Sequence, residues 1–189
     1  MTEQLAEPST DREALPVELV DDAGVAIGAC SVADAHRPPG TLHRAFSVLL
    51  FDRHGNVLIQ QRAAVKTRFP LQWANTCCGH PAPGQPVLEA AAIRLREEFG
   101  MAAELTEVGA FRYRAGDETT GRVEHEYDHV LIGVAGEVPP QPDPAEVATW
   151  AWIAPGSLRA DLAEHPGRYT PWLAEVLEIA DRAHAAGQA

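Results

Sequence analysis

Trp73-Ala74-Asn75-Thr76-Cys77-Cys78-Gly79-His80-Pro81 leads through a broken stretch (Pro83, Gly84, Pro86) into Val87-Leu88-Glu89-Ala90-Ala91-Ala92-Ile93-Arg94-Leu95-Arg96-Glu97-Glu98-Phe99-Gly100. The second part has helical spacing. Leu88, Ala92, Leu95 and Phe99 recur three or four residues apart, which predicts a stripe facing a core. Gly100 is placed to cap the C-terminus. Arg94 and Glu98 are one turn apart; left in water, such a pair contributes only about 0.3–0.5 kcal/mol. The first part sets a thiol, Cys78, two residues from an imidazole, His80, with Gly79 between them. A basic loop with Arg62, Lys66 and Arg68 precedes it.

Upstream of this stretch, Val17–Val20 and Val25–Cys30 flank Asp21-Asp22-Ala23-Gly24, a hairpin signal. Ser31–Leu42 is a connector centred on Pro38-Pro39-Gly40 that carries His36 and leads to His43. Ala45–Phe51 and Val57–Gln61 read as a second hairpin, and Phe69-Pro70 keeps the basic loop from being helical. Downstream, Leu105–Tyr113 and Val123–Gly136 read as strands. The period-2 pattern sets Glu124, Glu126 and Asp128 on one face of the second, with Ile132 and Val134 continuing that face as core. Ala148–Ile153 is a further strand with Trp150 and Trp152 on one face, and Ser157–Glu164 a short helix. Thr170 then reads as N-cap and Pro171 as first residue of a last helix. Strands before, beside and after one central helix predict a layered α/β sandwich with a mixed sheet.

The 189 residues fit one domain, expected over 15–185 after a polar tail at 1–14. A net charge of −12 argues against nucleic acid or an anionic membrane as partner, so the basic loop stands out as either a local anion site or a solvated loop. The cysteines, 30, 77 and 78, are a poor disulfide framework and suit a reducing compartment. Neither a signal peptide nor a membrane-spanning run is visible, so the expected location is cytoplasmic.

The candidate chemistry comes from a scattered set. His36, His43 and His80 with Glu124 and Glu126 offer imidazoles and carboxylates of the kind that suit Zn, Mn or Fe(II) better than Ca, although each histidine alone also reads as a surface residue. Carboxylates in line with a core face need a cation, unless the strand end emerges into solvent. Glu98 could hold a harder ion such as Mg²⁺, and Arg62, Lys66 and Arg94 the oxygens of a phosphate. Cys78, beside cations and a metal, is expected to have a lowered pKa and to act as an acid or base, whereas Cys77 reads as a small core residue. The substrate implied is a small diphosphate.

Asn75-x-x-Cys78-Gly79-His80-Pro81, His36 and His43, Phe111-Arg112-Tyr113-Arg114, Glu124-x-Glu126 and Thr170-Pro171-Trp172, in this order and at these separations, closely resemble the type I isopentenyl-diphosphate isomerase family of the Nudix fold. The resemblance spans about residues 17–180 and implies a Nudix-like α/β/α sandwich with a mixed sheet. It implies Cys78 as one catalytic acid/base and Glu126, supported by Tyr113, as the other. It implies His36, His43, His80, Glu124 and Glu126 as ligands of a second divalent metal (Mn²⁺ or Zn²⁺), and Glu98 as a ligand of Mg²⁺. Arg62, Lys66 and Arg94 then contact the diphosphate and Trp172 faces the hydrocarbon. A monomer or weak homo-oligomer acting in isoprenoid biosynthesis is expected.

The general Nudix box, G-x5-E-x7-R-E-U-x-E-E-x-G-U with U a bulky aliphatic, runs here from Gly79 to Met101. Gln85 replaces its first Glu, Ile93 its Arg and Arg94 the next Glu, while Glu97 and Glu98 remain. Exchanging a Mg²⁺-gathering carboxylate for a cation favours holding a diphosphate over cutting it. Leu71 stands where the family often has Gly, and Val32 where some members carry a basic residue. A Nudix hydrolase of a diphosphate, or a silent binding domain, are the alternatives.

Overall fold

The computed structural model describes residues 12–188, so most of the expected tail lies outside the described residues; its last three, Arg12–Ala14, form a single 3-10 turn. A hairpin of β1 (Pro16–Val20) and β2 (Ala26–Ser31) follows, with Asp21 Oδ1 accepting from the backbone of Ala23 and Val25 to fix the turn. The connector is not wholly irregular. Ser31 caps a four-residue helix, α1 (Val32–Ala35), its hydroxyl accepting from Asp34 N at 3.1 Å. That turn delivers His36 into the interior.

β3 (His43–Phe51) is the centre of the molecule. Nearly every residue of Ala45–Phe51 is apolar, and the strand is buried on both faces, as a run without alternation requires. It pairs antiparallel with β6 (Cys77–Gly79) and parallel with β8 (Val123–Val134), and meets β1 and β4 (Val57–Arg62) at its ends. β4 in turn pairs with β5 (Trp73–Ala74) and β9 (Val147–Ile153), and β7 (Thr106–Gly116) lies on β8. The sheet is therefore mixed. On one face Phe46, Val48 and Leu50 pack on α2 (Val87–Phe99) with Cys77, as expected for that cysteine. On the other, Leu49, Phe51, Val130 and Ile132 pack on α4 (Leu173–Ala185), beside α3 (Pro155–Glu164). Each fully buried Leu or Phe contributes about 1.5–3 kcal/mol to this layering.

Three local expectations are corrected. The buried stripe of α2 is Ala91, Leu95 and Phe99 with Arg94 and Glu98, whereas Leu88 is 44% exposed, because the sheet beneath rather than the helix period sets the rotation. Val134 is also 44% exposed: β8 outruns its cover at that end. Thr170 does not cap the last helix. α4 starts at Leu173, and the Thr170 backbone N–H instead donates to Trp73 O at 2.9 Å, tying the Tyr169–Trp172 segment to β5. Gly100 does cap α2, at φ 61°. Among the described residues no helix is long and apolar enough to cross a membrane.

Candidate active site

Sheet register assembles the site row by row. β3 sets His43 beside Glu126 on β8, and β7 sets Tyr113 on the other side of Glu126. Further along β3, Ser47 is opposite Cys78 on β6, and His80 follows directly after that strand. Glu124, Glu126 and Asp128 share one face of β8, all buried. Four strands and the short helix α1 thus deliver side chains that are up to 90 residues apart in sequence, from His36 to Glu126, to one place.

One nitrogen of His36, His43 and His80 and one oxygen of Glu124 and Glu126 all lie within 4.8 Å of one another. Nδ1 of His36 is 2.7 Å from Val32 O, and Nδ1 of His43 is 2.7 Å from Thr41 O. A carbonyl accepts only from N–H, so both rings turn Nε2 inward. There His36 Nε2 is 2.8 Å from Glu124 Oε2, and His80 Nε2 is 2.9 Å from Glu126 Oε1. His43 Nε2 is buried, 3.6 Å from Glu126 Oε1, and makes no hydrogen bond among the described residues. Burial disfavours charge on His36, but hydrogen bonds to Glu124 and Glu126 outweigh it and raise its pKa to about 9. Burial also acts against a charged Glu126, and three imidazoles reverse that, holding it well below the usual range. A buried set of inward nitrogens and anionic oxygens fits a divalent transition metal.

The thiol differs from expectation. Cys78 Sγ donates to Asn75 Oδ1 at 3.3 Å and lies 3.6 Å from Ser47 Oγ, which donates to Asp128 Oδ2 at 2.7 Å. Burial, then the Asp128 carboxyl, push the thiol up to about 12, against the smaller opposing effect of Arg62. Burial likewise keeps Asp128 well above the usual carboxylate range, with Glu126 adding to it. Both groups are therefore held as neutral acids by their protein surroundings. Tyr113 Oη donates to Glu126 Oε2 at 2.6 Å.

These groups open on a cleft of about 410 Å³, walled by Trp172 and Tyr113, whose rings are 5.7 Å apart. At its other end lie the cations. Lys66 pairs closely with Glu146; Arg94 pairs closely with Glu98 and reaches Glu146 at 3.2 Å and Glu97 at 2.9 Å. Glu98, 3% exposed, also accepts from Gln60 Nε2 at 2.9 Å, so its pair with Arg94 is a core feature and not a surface one. Arg62 is braced by the carbonyls of Arg68 and Phe69 and lies 5.7 Å over the Trp172 ring, a cation–π distance. The close approach of α2 to β6 depends on Gly79: a Cβ there would come within 2.7 Å of Phe46 Cζ and 3.1 Å of Arg94 Cγ.

Sequence reasoning missed several residues here. Glu146 sits among Lys66, Arg94 and Arg12, and Arg12 and Glu13 line the cleft. Glu13 binds Arg68, which reaches Glu124 at 3.2 Å. Nothing in the local pattern marks these residues. Asn75 belongs to the same sequence motif as Cys78, and its position three residues before the thiol is the one local signal of a role.

The NUDIX domain family matches residues 41–173. An isopentenyl-diphosphate Delta-isomerase of Nocardia farcinica is 71% identical over 170 residues, covering 90% of this chain and 97% of its own. Those of Halorhodospira halophila and Streptomyces coelicolor are 47% and 45% identical, covering 86% and 95% of this chain and 93% and 92% of theirs. Among solved structures, DR0079 from Deinococcus radiodurans matches with a TM-score of 0.70 at 19% identity, over 86% of this chain and 97% of that one. The MutT protein from Methanosarcina mazei matches at 0.60 and 15% identity, over 76% and 95%. At these identities the likeness is one of fold.

Proposed function

Because the chain belongs to the isopentenyl-diphosphate Delta-isomerases, built on the NUDIX domain, and interconverts isopentenyl and dimethylallyl diphosphate, we propose that Cys78 and Glu126 are its two proton-handling groups. The reaction adds a proton to the terminal alkene carbon and removes one from the allylic CH₂, so it needs an acid and a base on one substrate. The observation that carries the reading is that the Cys78 thiol and the Glu126 carboxylate open on the same cleft, walled by Trp172 and Tyr113. Tyr113 holds Glu126 through its 2.6 Å hydrogen bond. The indole of Trp172, 3% exposed, faces the positive charge that develops at the tertiary carbon, an effect of about 2 kcal/mol or more in a dry site. The same aromatic walls keep out the water that would trap the cation.

His36, His43, His80, Glu124 and Glu126 would hold a divalent metal, Mn²⁺ or Zn²⁺, and Glu98, on exchanging its pair with Arg94, would hold Mg²⁺. When bound, such a cation strengthens a carboxylic acid tied to it by stabilising the conjugate base. Lys66 and Arg94 contact phosphate oxygens, and Arg62 adds positive charge above Trp172. In place of a box carboxylate, Arg94 neutralises Glu98, which favours retention of the diphosphate over its hydrolysis. The three free cysteines fit a cytoplasmic location.

An NMR time course with isopentenyl diphosphate and Mg²⁺ in D₂O tests this. Dimethylallyl diphosphate carrying deuterium in a methyl group is expected. Cys78→Ala and Glu126→Gln are each expected to lose at least about 10³-fold in kcat with an unchanged fold, and a chelator to abolish turnover until Mn²⁺ or Zn²⁺ is returned. Substantial turnover by either variant removes that residue's role, and turnover surviving full metal removal removes the metal's.

A further inference from the structure

Asn75 is fully buried, and all its hydrogen-bonding capacity is used. Its side-chain nitrogen donates to Val48 O at 3.1 Å and to Cys77 O at 2.9 Å. Two carbonyls accept only from N–H, so the amide has one possible orientation. Its oxygen therefore faces the other way, where it accepts from Cys78 Sγ at 3.3 Å and from the Trp172 indole N–H at 3.0 Å. One oxygen thus joins a thiol on β6 to an aromatic ring that enters 97 residues away from Asn75 in sequence.

We infer that Asn75 is a positioning residue for the isomerisation, its single carbonyl oxygen tying the Cys78 thiol and the Trp172 indole to one point. The inference rests on the reading of Cys78 and Trp172 given above. Its physical content is a distance. Proton transfer between the thiol and a carbon whose charge faces the indole requires both groups at a set separation. The two sit on different layers: Cys78 on a three-residue strand, Trp172 at the start of α4. Backbone pairing alone ties neither to the other. Thr76, the next residue, anchors the same turn independently, accepting from Leu50 N at 2.9 Å and donating to Leu58 O at 2.7 Å. Loss of the Asn75 amide accordingly leaves the turn pinned while freeing the thiol and the ring.

The test is a double-mutant cycle on kcat and KM. Asn75→Ala is expected to lower kcat by about 100-fold, the scale of an ångström's misplacement, with KM little changed, because Lys66 and Arg94 are untouched. Trp172→Phe keeps an aromatic ring and removes the N–H. In that background the Asn75→Ala loss is expected to shrink by at least roughly fivefold, since the shared tether is already broken. Equal losses in both backgrounds, or a kcat within about threefold of wild type, overturn the inference. Circular dichroism and thermal unfolding report the fold. Should Asn75→Ala not fold, Cys78→Ala serves as a probe with Asn75 intact. The Trp172 indole N–H resonance, identified by its absence in Trp172→Phe, is expected to move downfield when its competitor for the oxygen is removed, and a resonance that stays put overturns the shared acceptor. The two readings fail separately: an active Cys78→Ala removes the thiol's role, whereas an inactive Cys78→Ala with additive Asn75→Ala losses removes only the tether.

Discussion

Tyr113→Phe removes one oxygen and leaves the ring, so the contacts with Phe111 at 5.6 Å and Trp172 at 5.7 Å persist. What is lost is the 2.6 Å hydrogen bond into Glu126 Oε2. A hydrogen bond to a charged partner contributes about 1.5–3 kcal/mol. Glu126 also faces His36, His43 and His80, at 3.9, 3.6 and 2.9 Å from its other oxygen. With its charge spread over several partners, one donor carries the lower end of that range, about 1.5–2 kcal/mol. At roughly 1.4 kcal/mol per tenfold in rate, kcat falls about 10- to 30-fold. The hydroxyl touches none of the phosphate-facing cations, so KM stays within about twofold. Steady-state isomerisation followed by proton NMR, with isopentenyl diphosphate varied across KM, separates the two constants. A kcat within about twofold of wild type, or a raised KM with kcat intact, refutes the assignment of this phenol as the support of Glu126.

Three further outcomes follow from the packing and the ion pairs. Gly79→Ala forces a Cβ against Phe46 and Arg94; overpacking of that kind costs about 1–3 kcal/mol, seen as a Tm lower by roughly 2–10 °C, and an unaltered Tm contradicts the close approach of α2. Leu71 has a left-handed backbone, φ 61°, and is 53% exposed. Leu71→Gly relieves about 1–2 kcal/mol of that strain against about 0.4–1 lost to unfolded-chain entropy, so thermal unfolding should show a small gain; a clear loss counts against the strain. Burial acts to raise the Glu146 carboxyl, but Lys66 and Arg94 outweigh it and bring it from 4.5 to about 2. Its folded-state pKa being depressed, its contribution is complete above about 4.5 and disappears as pH falls toward about 2. Burial also depresses the Lys66 ammonium, so the net effect is on the order of 1–2 kcal/mol. Denaturant titrations should show Glu146→Gln less stable at neutral pH, the gap narrowing in acid; a constant gap refutes the linkage.

The limits of α2 at Val87 and Gly100 were legible because they are local events: the prolines end before Val87, and Gly100 supplies the left-handed cap. The β1–β2 and β7–β8 pairs were legible for the same reason, as was the common face of Glu124, Glu126 and Asp128, which follows from the strand's period of two. The expected second hairpin is instead reduced to the one pair Phe51 and Val57, because β4 runs off to pair with β5 and β9. His36, His43 and His80 assemble into one cluster, but no spacing among them encodes it. It comes from the turn of α1 that carries His36, the antiparallel pairing of β3 with β6 that brings His80 and the parallel pairing of β3 with β8 that adds Glu126 to His43, all long-range choices.

The sequence by itself determined the longer strands and helices, their order and the inventory of chemical groups, since periodicity, capping residues and side-chain type are properties of neighbouring residues; the short α1, β5 and β6 carry too little of either signal. Tertiary structure decided which side of α2 is buried, and turned Arg94–Glu98 from a surface pair into a core one. It brought Arg12, Glu13 and Glu146 to the cleft. It also set the state of the thiol, read from sequence as acidified and found raised to about 12. Desolvation and through-space charge act on a group according to what surrounds it in three dimensions, and only the folded chain supplies those surroundings.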